Sequence, residues 1–267
     1  MNIWIHSVYH KPLWIAVLLI FSFNALAQKK SDTVIIDASK INTKYLKKGN
    51  NRYLVYFKMG KDSGRSRPQF WTRNISFENY NGTNAIVVTQ EWEDKDTVVH
   101  KVRSVCDKKT FAPLYQQSWW KGRGASEFDF INKSAVLNDM PLTNVDTARN
   151  RKGPWLAFQK ALDQYVLNWH LDLEVFPLLP YKDGKTFMIP FYDPGNPAPR
   201  FEAYSVTGTG QLDGYNNQKI DCWLLTHISR GLTEVFWISK KTQEVLKLEN
   251  EIGKDKWRYK IKLGFSI

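Results

Sequence analysis

From Arg52 onward the apolar residues fall into short runs separated by polar turns. Tyr53–Phe57 ends at Gly60-Lys61-Asp62-Ser63-Gly64. Phe70–Phe77 ends at Asn79-Tyr80-Asn81-Gly82, which carries the strong hairpin dipeptide Asn-Gly. Ala85–Trp92 meets Glu93-Asp94-Lys95-Asp96, and Thr97–Cys106 meets Asp107-Lys108-Lys109-Thr110. Ala112–Trp120 is broken by Gly122 and Gly124, and Ser126–Asn132 with Lys133–Leu137 reads as a further hairpin. Short runs bounded by Gly, Asn and Asp are strands joined by tight turns, so this half reads as a β-meander.

The period changes at Gly153-Pro154. Trp155, Phe158, Leu162, Tyr165, Val166 and Trp169 recur at spacings of three and four, which predicts one apolar helical face from Pro154 to Val175, continuous or in two pieces. Proline suits the first helical position, where its missing N–H costs nothing. Pro177 and Pro180 stop the helix. Strands then return: Thr186–Phe191, Arg200–Gly208, Lys219–Ser229, Thr233–Ile238, Glu244–Asn250 and Lys256–Phe265, with a rigid loop at Asp193–Pro199 and a turn at Tyr215-Asn216-Asn217. A lone amphipathic helix in a meander covers the apolar face of a curved sheet. The expected fold is mainly β (β+α): a curved antiparallel sheet or half-barrel of about 10–12 strands wrapped around one amphipathic helical segment.

The first residues follow a different rule. Lys11 and no acid precede an apolar stretch from Pro12 to Phe23, and Ala25-Leu26-Ala27 precedes Gln28. A basic start, a short apolar core and small residues at the cut make a secretory signal peptide, residues 1–27, cleaved after Ala27. The apolar run is about a dozen residues, against roughly 20 for a spanning helix. No later segment is long and apolar enough to span a bilayer. No Cys follows Ala27, so the expectation is a periplasmic protein whose single domain is residues 28–267.

The chain carries a net charge of +12. Its basic residues occur as short pairs near turns, such as Lys108-Lys109 and Lys240-Lys241, which reads as a solvated surface or contact with an anionic envelope partner rather than nucleic acid. Tryptophan is abundant: Trp71, Trp92, Trp119, Trp120, Trp155, Trp169, Trp223, Trp237 and Trp257 all lie beyond the leader. Such a set builds either a bulky core or an aromatic-lined cavity. Cys106 and Cys222 leave two states open in an exported chain, a disulfide or two buried thiols.

Motifs for catalysis are missing. There is no G-x-S-x-G elbow, H-E-x-x-H or Walker loop, so no cofactor and no metal are expected. Gly208-Thr209-Gly210 with Gly214 is a poor dinucleotide loop and reads as a turn between strands. His100, His170 and His227 lie far apart in sequence. Glu91 and Glu93, two apart on a strand, could share a face as paired carboxylates, but the same cluster describes an ordinary charged turn.

The runs Phe176-Pro177-Leu178-Leu179-Pro180, Asp183-Gly184-Lys185 and Ile189-Pro190-Phe191-Tyr192-Asp193-Pro194-Gly195 carry a family likeness. With them go Tyr204–Gly208, Ile220–Leu225, Phe236–Thr242 and Asp107–Leu114. Over roughly residues 50–265 the chain resembles the bacterial exported proteins of domain-of-unknown-function family 3108. The layout is similar to the lipoprotein-carrier (LolA/LolB-like) half-barrel, where a curved sheet shelters acyl chains. That resemblance implies an envelope location and a lipid or lipoprotein ligand, and hands over no catalytic residues. The expectation is therefore a non-enzymatic binder of an amphipathic ligand, with Trp155, Phe158, Leu162 and Trp169 of the helix and Trp223 and Trp237 of the sheet lining its cavity. The alternative is a glycan-binding or accessory envelope module using exposed Trp119 and Trp120 beside Lys121-Gly122-Arg123.

Overall fold

A computed structural model describes residues 32–60, 62–196, 198–214 and 217–264. The leader with its cleavage site, Phe265, and Tyr215 and Asn216 of the predicted turn lie outside the described residues. The strands of the first half are β1 (Asp32–Ile35), β2 (Gly49–Met59), β3 (Ser66–Tyr80), β4 (Thr83–Asp94), β5 (Thr97–Asp107), β6 (Pro113–Trp120), β7 (Gly124–Asp129), β8 (Ser134–Leu137) and β9 (Met140–Pro141). Helix α1 (Arg149–Leu162), β10 (Leu167–Asn168) and α2 (Asp172–Val175) follow. The second half is β11 (Lys185–Tyr192), β12 (Arg200–Asp213), β13 (Lys219–Ser229), β14 (Leu232–Ser239), β15 (Val245–Gly253) and β16 (Lys256–Leu263).

All of these strands belong to one sheet, in the order β1-β11-β12-β13-β14-β15-β16-β2-β3-β4-β5-β6-β7-β8-β9, with β10 also on β11. The sheet is curved and open. Among the described residues the sheet has sixteen strands, against the expected ten to twelve. The excess is mostly short pieces whose pairing is tertiary: β1 and β10 add parallel to β11, and β9 is two residues long. Two meanders fuse where β16 pairs antiparallel with β2. The hairpin of β3 and β4 forms where Asn-Gly predicts it. Asn81 and Gly82 have φ of 49° and 81°, and Asn79 Oδ1 accepts from the Gly82 N–H at 3.0 Å. Two successive positive φ values make the turn whose twist matches its strands.

The predicted single helix is divided. α1 begins at Arg149, earlier than expected, and contains Pro154. It ends at Leu162, because Tyr165 turns away to donate its hydroxyl to the Thr110 carbonyl at 2.7 Å, and Leu167–Asn168 pair as a strand. Tertiary pairing overrides the helical period there. α1 also does not fill the curve of the sheet. Its Ala157, Phe158 and Ala161 pack on Phe128, Ala135, Leu142 and Tyr192 in a cluster of their own.

The curve is filled instead by residues 167–179, a run of short helical turns around α2. Leu167, Leu171, Leu173, Val175, Phe176, Leu178 and Leu179 are all buried there, against Val55, Ile75, Val88, Phe187, Tyr204, Leu225 and Phe236 of the strands. Phe176 sits at the centre, its ring 4.9 Å from Tyr204 and 4.6 Å from Phe236. Burying side chains of this size contributes about 1.5–3 kcal/mol each. We call this segment the plug.

The other face of the sheet carries smaller clusters. One is Ile220, Cys222 and Leu246 with Trp237 packed against them. Gly210 lies inside β12, not in a turn, because a Cβ there would sit 2.6 Å from the Trp237 ring. Gly210 makes room for an aromatic ring rather than a phosphate.

Candidate functional site

The plug is apolar toward β11–β15, but toward β3–β6 it is held by buried polar groups. Arg73 is 1 % exposed on β3. Its guanidinium donates to Glu174 at 2.7 Å, to Asp172 at 3.4 Å and to the His170 carbonyl. Gln90 Nε2 donates to the same carbonyl at 2.9 Å, and Asn168 Nδ2 donates to Gln116. Asn168 Oδ1 accepts from the His170 N–H at 2.9 Å, which caps the first turn of the plug.

β16 completes the set by running against its own pattern. Its aromatic residues Trp257 and Tyr259 alternate with Arg258, Lys260 and Lys262, and period two predicts the aromatics inside. Instead Lys260 and Lys262 are buried, at 5 % and 6 % exposure. Each basic side chain meets an acid: Arg258 with Glu234 at 3.6 Å, Lys260 with Asp172 at 3.1 Å, and Lys262 with Glu244. A buried charge is tolerable only when paired.

Burial and pairing compete in this network. Burial would raise Asp172, but Lys260 and Arg73 hold its carboxyl below the usual range. Burial pushes Glu174 up despite Arg73, and pushes the Lys260 ammonium down despite Asp172.

Where plug and sheet meet, a cleft of about 200 Å³ opens, lined in part by Trp71, Arg73, Trp92, Trp169, Asp193 and Arg258. Trp71 and Trp92 stack with centroids 3.8 Å apart, and Lys260 lies over the Trp71 ring at 4.7 Å. His170 Nε2 stands 3.1 Å from Asp193 Oδ1. Behind Trp92, His100 stacks on Trp120 at 3.7 Å and donates from Nδ1 to the Trp119 carbonyl. Burial lowers the His100 imidazole to about 4, so it is neutral near pH 7 and Nε2 carries the lone pair. Several buried polar atoms here have no hydrogen-bond partner: Arg73 Nε, Arg258 Nε, Trp92 Nε1 and Asp193 Oδ1. A second cavity of about 270 Å³ adjoins the first, sharing Trp169 and Asp193 and adding Phe191, Asn196, Ala198 and Arg200.

Of the six residues expected to line one cavity, only Trp169 lines the cleft. Trp155, Phe158 and Leu162 belong to the α1 cluster, where Trp155 Nε1 donates to Asn144 Oδ1 at 2.6 Å. Trp223 packs on the inner cluster beneath Lys240, and Trp237 lies on the opposite face with Lys247 over it. Cys106 and Cys222 are both buried and free, and they sit in separate clusters, one on each face. Burial pushes both thiols up, Cys222 to about 11. Of the two states left open, two buried thiols is the one found.

Trp119 and Trp120 point to opposite faces. Trp119 is 38 % exposed, while Trp120 turns in onto His100. Glu91 and Glu93 are split by a bulge and form separate ion pairs, with Lys101 and Arg52, both at 3.1 Å. His100 and His170 approach to 5.6 Å, while His227 lies beside Glu202. Among the described residues no group of His, Cys, Asp and Glu could hold a metal ion, and no helix is long and apolar enough to cross a membrane.

Arg73, Gln90, Asp172, Asp193, Arg258 and Lys260 escaped the motif search. The available signal was parity: Arg73 shares the inward parity of Trp71 and Ile75. A charge on the apolar face of a strand must find a partner inside.

Residues 52–260 match the family model DUF3108, described as a protein of unknown function, and the chain belongs to that family. The matched span takes in the sheet from β2 onward, the plug and both cavities. Comparison with curated proteins gives no match.

Proposed function

We propose that this chain is an exported binding protein of the cell envelope, periplasmic and non-enzymatic, that takes the polar end of an amphipathic ligand in the cleft beside the plug. One observation carries the reading. Arg73, Arg258 and Trp92, each with a buried N–H that has no hydrogen-bond partner, are among the residues lining an aromatic cleft. An unmade bond to a buried donor costs about 1–3 kcal/mol, which a ligand supplying the acceptor recovers. The basic start, apolar run and Ala25-Leu26-Ala27 support export. The likeness to lipoprotein-carrier half-barrels supports a lipid or lipoprotein source. The plug occupies the curve where an acyl chain would otherwise lie, so the cleft receives a head group.

Native mass spectrometry of the chain purified after secretion tests both parts. The expected protein mass starts at Gln28, with a small molecule retained or taken up from an envelope extract. A chain that keeps its leader contradicts export. A chain that binds nothing from that extract contradicts the binding role.

The glycan alternative through Trp119 and Trp120 loses its paired aromatics, since they face opposite ways. What remains there is an open groove of about 580 Å³ along Trp119, Lys101, Glu91 and Gln117.

A further inference from the structure

We infer that the polar group received by the cleft is a neutral saccharide, with two successive sugar rings held on either side of the Trp169–Asp193 wall. This rests on the cleft being the ligand site. It differs from the Trp119–Trp120 reading in location and in the groups that do the recognising.

Charge decides against the ionic head groups. Every cation that lines the cleft has a carboxylate within reach: Arg73 has Asp172 at 3.4 Å, Lys260 has Asp172 at 3.1 Å, and Arg258 has Glu234 at 3.6 Å. Besides these cations, the His170 ring Nε2 faces Asp193 Oδ1 at 3.1 Å. A phosphate or carboxylate would have to displace one of these acids and then face the others. An ammonium group meets the same difficulty with the cations. The cleft therefore selects for neither sign.

Hydrogen-bonding capacity points the same way. Arg73 Nε, Arg258 Nε and Trp92 Nε1 are donors without acceptors, while Asp193 Oδ1, 3.1 Å from His170 Nε2, makes no aligned hydrogen bond. An anion only accepts and an ammonium only donates, whereas a hydroxyl does both. A polyol satisfies this mixed set without breaking an ion pair. Trp71, Trp92, Trp169, Tyr204 and Phe236 supply apolar wall for the C–H face of a sugar ring.

The second cavity repeats the chemistry. Trp169 and Phe191 give it aromatic wall, and Asp193, Asn196 and Arg200 give it planar polar groups. Asn196 donates to Asp193 Oδ2 at 2.7 Å, which fixes that carboxylate between the two cavities. At about 200 and about 270 Å³ each is smaller than a site for a drug-sized ligand, roughly 300–1,000 Å³. Together they suit two small rings in line.

A glycan array bearing neutral, amino and acidic oligosaccharides, probed with the secreted chain, tests the assignment. The expected signal falls on neutral glycans of two or more rings. It drops at least about tenfold in Asp193→Asn and in Trp169→Phe, which keep shape and fold, and persists in Trp119→Ala. Binding to acidic glycans alone, neutral binding unchanged in both variants, or no glycan binding overturns it.

Native spectra with dodecyl maltoside, maltose and dodecyl phosphocholine separate this claim from the one beneath it. Maltoside and maltose adducts of equal strength identify a free glycan as the source, and a stronger maltoside a glycolipid; both support the saccharide. Phosphocholine adducts with no maltoside overturn the saccharide and leave the amphipathic reading standing. No adduct with any of the three, together with a blank array, overturns both.

Discussion

α1 and the plug are neighbours in sequence and nearly opposite in construction. α1 has a clean apolar stripe and packs its Phe158 side against one end of the sheet. The plug has no regular period, is enclosed except where Trp169, His170 and Asp172 meet the cleft, and combines Leu171, Leu173 and Phe176 with the acids Asp172 and Glu174. The first builds a satellite cluster, and the second closes the core and walls the cleft. A one-sided stripe marks a segment lying on a surface, whereas a segment enclosed by a curved sheet has no outside face to keep polar. Its acids must find partners within, and those partners form the site.

The largest expected effect comes from breaking the plug's anchor. Arg73→Ala leaves Glu174 and Asp172 buried without their guanidinium and should cost about 3–5 kcal/mol. Urea unfolding would show this as a lower midpoint. A loss under about 1 kcal/mol would mean that the plug does not depend on its polar side.

Phe158→Ala should come next, at about 3 kcal/mol, the lower end for a buried Phe. Its distinguishing feature is what it spares. Trp169 fluorescence, isolated by a variant series, should be unchanged, since the α1 cluster is separate from the inner one. A shifted Trp169 signal would join two regions held here to be separate.

The third effect is pH-dependent. His100 falls from its ordinary 6.5 to about 4 in the folded chain, chiefly through burial. The unfolded chain therefore binds more protons between these values, and stability is lost as pH drops from about 6.5 toward 4, by on the order of 2–3 kcal/mol. His100→Gln should flatten that part of the stability profile. An equal slope in both proteins would place the titration elsewhere. The smallest change is Asn168→Ala, which removes the cap of the plug's first turn for about 1–2 kcal/mol.

Much of the meander was legible because short apolar runs are set apart by polar turns, most of them carrying Gly, Asn or Asp. Phe70–Phe77 lies within β3, and Lys219–Ser229 coincides with β13. β1 and β10 were not legible in that way. Two to four residues paired parallel to β11 hold no local signal. The cleft was legible in one residue, Trp169. The periodicity that selected Trp155, Phe158 and Leu162 was correct about burial and silent about which cluster receives it. β16 runs in the opposite sense: its pattern favours Trp257 and Tyr259 inside, yet Asp172, Glu234 and Glu244 draw Arg258, Lys260 and Lys262 inward. Parity shows that one face differs from the other, and only the partners decide which face turns in.

The central claim is that the ligand sits at the plug and not at α1. Native mass spectrometry of three secreted proteins tests it most directly: the parent chain, Trp169→Phe and Phe158→Ala, each incubated with the same envelope extract. The predicted result is an adduct on the parent and on Phe158→Ala, and a weakened or absent adduct on Trp169→Phe. An adduct that survives Trp169→Phe and disappears in Phe158→Ala would contradict it.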